Sequence, residues 1–106
     1  MDPTPSDPLA ALAGLDNRRF TVQVISYHSR SRAAAAVRRY GLSEHARIYK
    51  KLSRGKTWYL VLYGEFASTE QAKAAIARLP EKLRRARPIV RKVARIRRQL
   101  RAQQGG

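Results

Sequence analysis

Few residues in this chain have covalent or metal chemistry to offer, and they are scattered. There is no cysteine, and the two histidines are His28 and His45. Three of the seven acids, Asp2, Asp7 and Asp16, fall in the first 17 residues. Glu44, Glu65, Glu70 and Glu81 show no spacing that suggests a paired acid and base. Neither histidine has a cysteine or a nearby aspartate, so nothing reads as a nucleophile or a metal centre. We expect no catalysis, no metal and no cofactor. What remains is non-covalent chemistry. Trp58, the single tryptophan, offers a large apolar surface. Gln23 offers an amide with two donors and an acceptor. Arginines such as Arg47 and Arg91 offer charge-assisted bonds to carboxylates.

The charge balance says what class of partner such groups would meet. The 106 residues hold 23 Lys and Arg against 7 Asp and Glu, a formal charge of +16. A balance so basic points to a polyanion: nucleic acid, an anionic membrane surface or an acidic polysaccharide. The charge is concentrated, since residues 78–101 hold eleven Lys and Arg and one acid, Glu81. The length suits one domain with one core. No run of 18 apolar residues is present to span a bilayer. Residues 1–15 lack Lys and Arg and are broken by Pro3, Pro5 and Pro8, unlike a secretory leader. If the protein acts outside the cytoplasm, the chain is expected to be a piece of something longer.

The elements that must position these groups follow from period and punctuation. Residues 1–17 read as a disordered, proline-rich linker, with Leu9, Leu12 and Leu15 able to form a weak helical turn. The folded domain is expected over 18–103. Phe20, Val22 and Val24 alternate with Thr21, Gln23 and Ile25 as a strand. Ser29 caps a helix to about Tyr40, with Gly41 as its left-handed end. Residues 46–52 and 57–63 form a hairpin about Arg54 and Gly55, which pairs Ile48 with Val61, Tyr49 with Leu60 and Lys51 with Trp58. Ser68 and Gln71 make a capping box for a second helix, stopped by Pro80. Residues 81–87 read as a polar connection, 88–93 as an edge strand and 94–103 as a basic amphipathic helix. The order is β-α-β-β-α-β plus a terminal helix. That is the α+β, ferredoxin-like two-layer sandwich, with a four-stranded antiparallel sheet carrying two helices on one face.

The other face of such a sheet is expected to be polar, and here it is not. Phe20, Val22, Val24, Tyr59, Val61 and Tyr63 are assigned to the helix side. Trp58, Leu60 and Leu62 then lie on the open face beside Tyr49, Arg47, Lys51, Thr21, Gln23 and Ile25. An apolar strip framed by cations marks a contact site. The alternative at this point is that Val93, Ile96 and Leu100 of the terminal helix fold back and cover part of it.

The residues also carry a resemblance. The segments FTVQVIS (20–26), WYLVLYGEF (58–66) and ASTEQAKAAIARLP (67–80) resemble the SPOR domain, the septal peptidoglycan-binding module of bacterial cell-division proteins. The likeness covers about residues 19–93, and is strongest to the subtype whose third strand opens on Trp-Tyr. It implies the same β-α-β-β-α-β fold and binding, through the exposed sheet face, to glycan strands stripped of their stem peptides. Gln23 matches the family's strand-one glutamine and Ser26 the small polar residue after it. Trp58 matches the aromatic that opens strand three, a glycan-contact position. On the same face Tyr49, Leu60 and Arg47 adjoin it, and Arg91 stands beside Ile89. The sequence departs from the family where Ile89 replaces a second tryptophan, where Leu60 and Leu62 replace arginines of many members, and where Glu65 replaces a proline.

The ligand chemistry fits these groups on its own terms. Removing the stem peptide frees the lactyl carboxylate of each N-acetylmuramic acid, so a denuded strand is a polyanion. Its sugar rings present C–H faces to an indole. The implied setting is the periplasmic side of an inner-membrane protein at the division septum. The chain is then tethered through its linker to an absent upstream transmembrane segment, and other divisome proteins are possible partners. The basic run at 78–101 is read as solvated surface, or as a second contact to anionic wall polymer or phospholipid. The rival is an RNA-binding domain of the same topology, which stacks bases on sheet aromatics. Strand three lacks the RNP signature of that class, so nucleic acid is the weaker reading.

Overall fold

The computed structural model of the chain describes residues 7–105. Four strands, β1 (Phe20–Tyr27), β2 (Ala46–Ser53), β3 (Lys56–Phe66) and β4 (Ile89–Lys92), form one antiparallel sheet in the order β2-β3-β1-β4. Helices α1 (Arg30–Arg39) and α2 (Thr69–Ala77) cover one face. A short α3 (Glu81–Arg85) precedes β4, and α4 (Val93–Gly105) follows it directly. This is the expected ferredoxin-like arrangement with an added C-terminal helix.

Local signals account for the frame. The Ser29 hydroxyl accepts from the Arg32 backbone N–H, and the Ser68 hydroxyl accepts from that of Gln71. The Gln71 side chain accepts in return from the Ala67 N–H. Arg54 and Gly55, at φ of 52° and 77°, supply the two left-handed residues of a tight hairpin turn. Ser53 therefore faces Lys56, and Ile48–Val61, Tyr49–Leu60 and Lys51–Trp58 are opposite pairs, as the turn predicts. Val22, Val24, Ile48 and Val61 are buried beneath Ala33, Ala34, Val37, Ala72 and Leu79 in the helix-side core.

Four expectations are corrected. Strict alternation sends Ile25 to the open face, but the register between β1 and β3 shifts between Gln23 and Ile25. Val24 is the extra residue of a bulge, so Ile25 joins the helix-side core and Ser26 comes opposite Leu60 on the other face. Strand β3 does not stop at Gly64. It runs through it, with a second register shift near Phe20 and Val22, at a glycine whose φ is 74°. A methyl group there would lie 2.5 Å from the Phe66 ring. The buried Thr21 hydroxyl donates toward the carbonyls of Tyr63 and Gly64 at this irregularity. Residues 81–87 are no simple connection: α3 seats Leu83, 1% exposed, in the helix-side core.

The fourth correction concerns the linker. Residues 1–6 lie outside the described residues, but from Asp7 onward the chain is packed. Pro8–Leu12 is a 3-10 turn capped by the Asp7 carboxylate, and Ala11, Leu12 and Leu15 are buried. They belong to a second core with Tyr49, Leu60, Leu62, Val93, Ile96 and Leu100. The Asp16 N–H donates to Glu65, and the Asp16 carboxylate accepts from both the backbone and the guanidinium of Arg18. The Arg18 side chain, then its backbone N–H, lowers the Asp16 pKa to about 2, so the anion persists through ordinary acidity.

The turn supports a direct test. Left-handed backbone costs an ordinary L-residue about 1–2 kcal/mol, and asparagine less. Arg54→Asn is expected to raise the unfolding free energy by about 0.5–1 kcal/mol, read as a higher urea midpoint at unchanged slope.

Candidate functional site

The face opposite α1 and α2 is roofed by two segments. Helix α4 crosses it diagonally. The Val93 N–H donates to the Arg19 carbonyl beside the start of β1, and the Gln103 side chain donates to the Leu52 carbonyl near the end of β2. Val93, Ile96 and Leu100 point into the sheet and are at most 1% exposed. The N-terminal turn packs on β2 and against α4. Arg97 of α4 donates to the Asn17 side chain and to the Leu12 carbonyl, which joins the two covers.

This roof removes two residues from the expected site. Tyr49 is 1% exposed, within the second core, and burial pushes its phenol up, with Arg91 acting in the opposite direction. It is packing, not a ligand surface. Arg47 donates to the carbonyls of Ala11 and Ala13, at 3.1 and 2.6 Å, and so holds the N-terminal turn down. Its Nη1 is shared between these two carbonyls, one of them on buried Ala11.

Four of the other five line what the roof leaves open, and Arg91 adjoins it through Gln23. One depression of about 170 Å³ is lined by Ser26, Lys51, Ser53, Trp58 and Leu60. A second, of about 190 Å³, is lined by Gln23, Val24, Ile25, Ser26, Ala86, Arg87 and Ile89. Ser26 lines both, so the two depressions adjoin at that residue, and together they are called the trough. Leu60 is its buried floor, and the bulge at Val24 is what turns Ser26 into it. At one end Trp58 is half-buried, with the His28 ring stacked on it at 3.7 Å between centroids and tilted by 37°. The His28 Nδ1 lies 3.1 Å from the Thr57 carbonyl, so a proton there donates to it and fixes the ring. At the other end the Arg91 guanidinium donates to the Gln23 carbonyl oxygen at 2.6 Å and to that of Gln99 on α4 at 2.7 Å. The Gln23 acceptor is therefore occupied, and its amide N–H groups are the part of that side chain with donors to offer a ligand.

Sequence reasoning singled out Gln23, Ser26, Trp58, Leu60 and Arg91 and missed Ser53, Arg87 and Gln99 as neighbours of the trough. The hairpin count pairs Ser53 with Lys56 and so places it near Trp58, whereas Arg87 and Gln99 arrive from α3 and α4 with no local signal. Ile89, noted from the sequence as a departure from the resemblance, is 48% exposed and lines the second depression. Among the described residues no three His, Cys, Asp or Glu side chains are grouped to hold a metal ion, and no helix is long and apolar enough to cross a membrane. An indole, amides, hydroxyls and a guanidinium suit a polyhydroxylated ligand that carries amide or carboxylate groups.

Comparison with known proteins gives this geometry a frame. The SPOR domain matches residues 16–92. The cell division protein DamX of Serratia marcescens is 33% identical over 81 residues, which are 76% of this chain and 37% of that protein. The chain thus spans little more than a third of the curated relative. Both covers of the sheet face, residues 8–15 and α4, fall outside the matched residues.

Arg47→Ala leaves two carbonyls without their donor, one of them on buried Ala11. We expect a loss of about 1–3 kcal/mol in unfolding free energy and faster hydrogen exchange at the Leu15 N–H, which bonds to the Leu12 carbonyl. A ligand-binding arginine with no structural role predicts neither change.

Proposed function

This chain belongs to the SPOR domain family, and from that premise we propose that it binds peptidoglycan glycan strands denuded of their stem peptides. In this reading the domain performs no chemistry and concentrates a cell-division protein at the septum, where amidases produce such strands. The supporting observation is the trough lined by Trp58, Ser26 and Gln23, with the Arg91 guanidinium bonded to the Gln23 side chain beside it. A sugar ring packs its C–H face at the indole end. The Gln23 amide and Ser26 hydroxyl meet hydroxyl and N-acetyl groups, and Arg91 and Arg87 answer the lactyl carboxylate that peptide removal exposes.

The domain proper is residues 18–103, with the packed segment from Asp7 as an addition to it. Upstream residues would tether it, on the periplasmic side, to a membrane-anchored part of the host protein, and divisome proteins are candidate further partners. The match to a relative named for cell division supports that setting.

Sedimentation with purified sacculi tests the proposal. The wild-type chain is expected to pellet with amidase-treated sacculi more than with untreated ones. Trp58→Ala, at a half-buried rim position, is expected to keep the fold and lose most of that retention, and Gln23→Ala to lose less. Wild-type retention by Trp58→Ala overturns the site. The basic composition keeps RNA as the second reading, and salt separates the two. RNA affinity falls with a log–log slope of about −0.7 per phosphate contact, whereas sugar packing on the indole persists at high salt.

A further inference from the structure

Beside the trough lies a second depression that the sheet face does not explain. It measures about 430 Å³ and is lined by Val90, Arg91, Lys92, Ala94, Arg95 and Arg98, at the edge of β4 and the outer side of α4. Four of the six residues are cations. Lys92 lies over the Phe20 ring, 5.8 Å from its centroid, and Arg91 makes the two bonds to Gln23 and Gln99 described above. Among the described residues no carboxylate pairs with Lys92, Arg95 or Arg98, while Arg18 and Arg85 do have acid partners. Like charges three residues apart on a helix repel. Gathering four around one concavity, on a chain already at +16, costs folding free energy that an anion there would offset.

Composition narrows the anion. The lining has no aromatic ring on which a base could stack and no exposed apolar wedge, so recognition there is by charge and N–H donors. Arg91 sets the location: the guanidinium that lines this depression is bonded to Gln23 in the trough, so the two sites are contiguous. A polymer lying in the trough and passing the β4 edge brings its next group here. A denuded glycan strand carries one carboxylate on every second sugar.

We propose that Lys92, Arg95 and Arg98, with Arg91, form a carboxylate subsite that receives the lactyl group of a denuded strand one repeat beyond the trough. This rests on the glycan reading above and deepens it. The subsite makes the domain selective for stripped strands, because in intact strands the same lactyl group is a neutral amide bearing a peptide. Arg95 and Arg98 lie on α4, beyond the residues that the family model matches, so the selectivity is supplied by a helix added to the family's matched fold.

The test uses the 106-residue chain and sedimentation with sacculi, treated or untreated with amidase, from low to high salt. The Arg95→Gln/Arg98→Gln variant is expected to fold with a Tm at or slightly above that of wild type, since it relieves like-charge repulsion. It should bind treated sacculi about tenfold more weakly at low salt and approach wild type at high salt, as expected for two partly exposed charge contacts. Arg38→Gln/Arg39→Gln, which removes the same charge from the exposed end of α1, is expected to bind like wild type. Equal loss in both variants means diffuse electrostatics and overturns the subsite, as does wild-type binding by the α4 variant. Loss of retention on phosphatidylglycerol vesicles, with sacculus binding kept, reassigns the patch to a membrane and also overturns it. If the wild-type chain itself ignores amidase treatment, the glycan reading fails and this subsite with it. If wild type responds and the α4 variant responds equally, only the subsite fails.

Discussion

Everything in this structure follows from a sheet that is apolar on both faces. Two helices dispose of one face in the usual way. The other carries Tyr49, Leu60 and Leu62, and a small sheet cannot leave such a surface in water without losing the burial that stabilises it. Each fully buried leucine or isoleucine contributes about 1.5–3 kcal/mol relative to exposure. Leu12, Leu62, Ile96 and Leu100 all reach that condition only because α4 and the N-terminal turn lie across the face. The chain is thus a three-layer packing built on a two-layer fold.

The cover shapes the candidate site by subtraction. It buries Tyr49, ties Arg47 to the N-terminal turn and leaves a narrow trough instead of an open platform. What stays exposed is lined by strand residues and by Ala86 and Arg87 of the segment before β4. Helix α4 contributes Gln99, which helps hold the Arg91 guanidinium against Gln23. A side chain held by two such bonds has lost its rotamer freedom before any ligand arrives, which reduces what binding must spend on ordering it. The Trp58 ring is held likewise, by His28 stacked upon it.

Charge distribution divides the molecule along the same line. The cations of residues 78–101 far outnumber the single acid among them, Glu81. Arg97 and Arg84 are absorbed by backbone carbonyls and Arg85 by Glu81, which makes them structural. Those around the β4 edge are not absorbed in this way, and they adjoin the trough. Basic residues therefore stand in two separate settings here: fastening the covers and lining a cationic margin at the β4 edge.

The features legible in the sequence are those governed by near neighbours. A two-residue turn at Arg54 and Gly55 sets the hairpin register by counting, and serine caps with Gln71 and Gly41 set helix ends, because the bonds involved span only a few residues. Alternation placed Trp58, Leu60 and Leu62 on their common face for the same reason. It failed at Val24, where one extra residue turns Ile25 inward and Ser26 outward, since a bulge is decided by the partner strand some 40 positions away. The fate of residues 7–15 was hidden in the same sense: prolines and small residues look like linker until Arg47 and Arg97 reach their carbonyls from 34 to 85 positions further along. Local composition thus determined the elements, the cationic character and the chemical types at the site. Only tertiary structure decided which of those side chains still meet solvent, because exposure belongs to the surfaces that pack together and not to any one segment of chain.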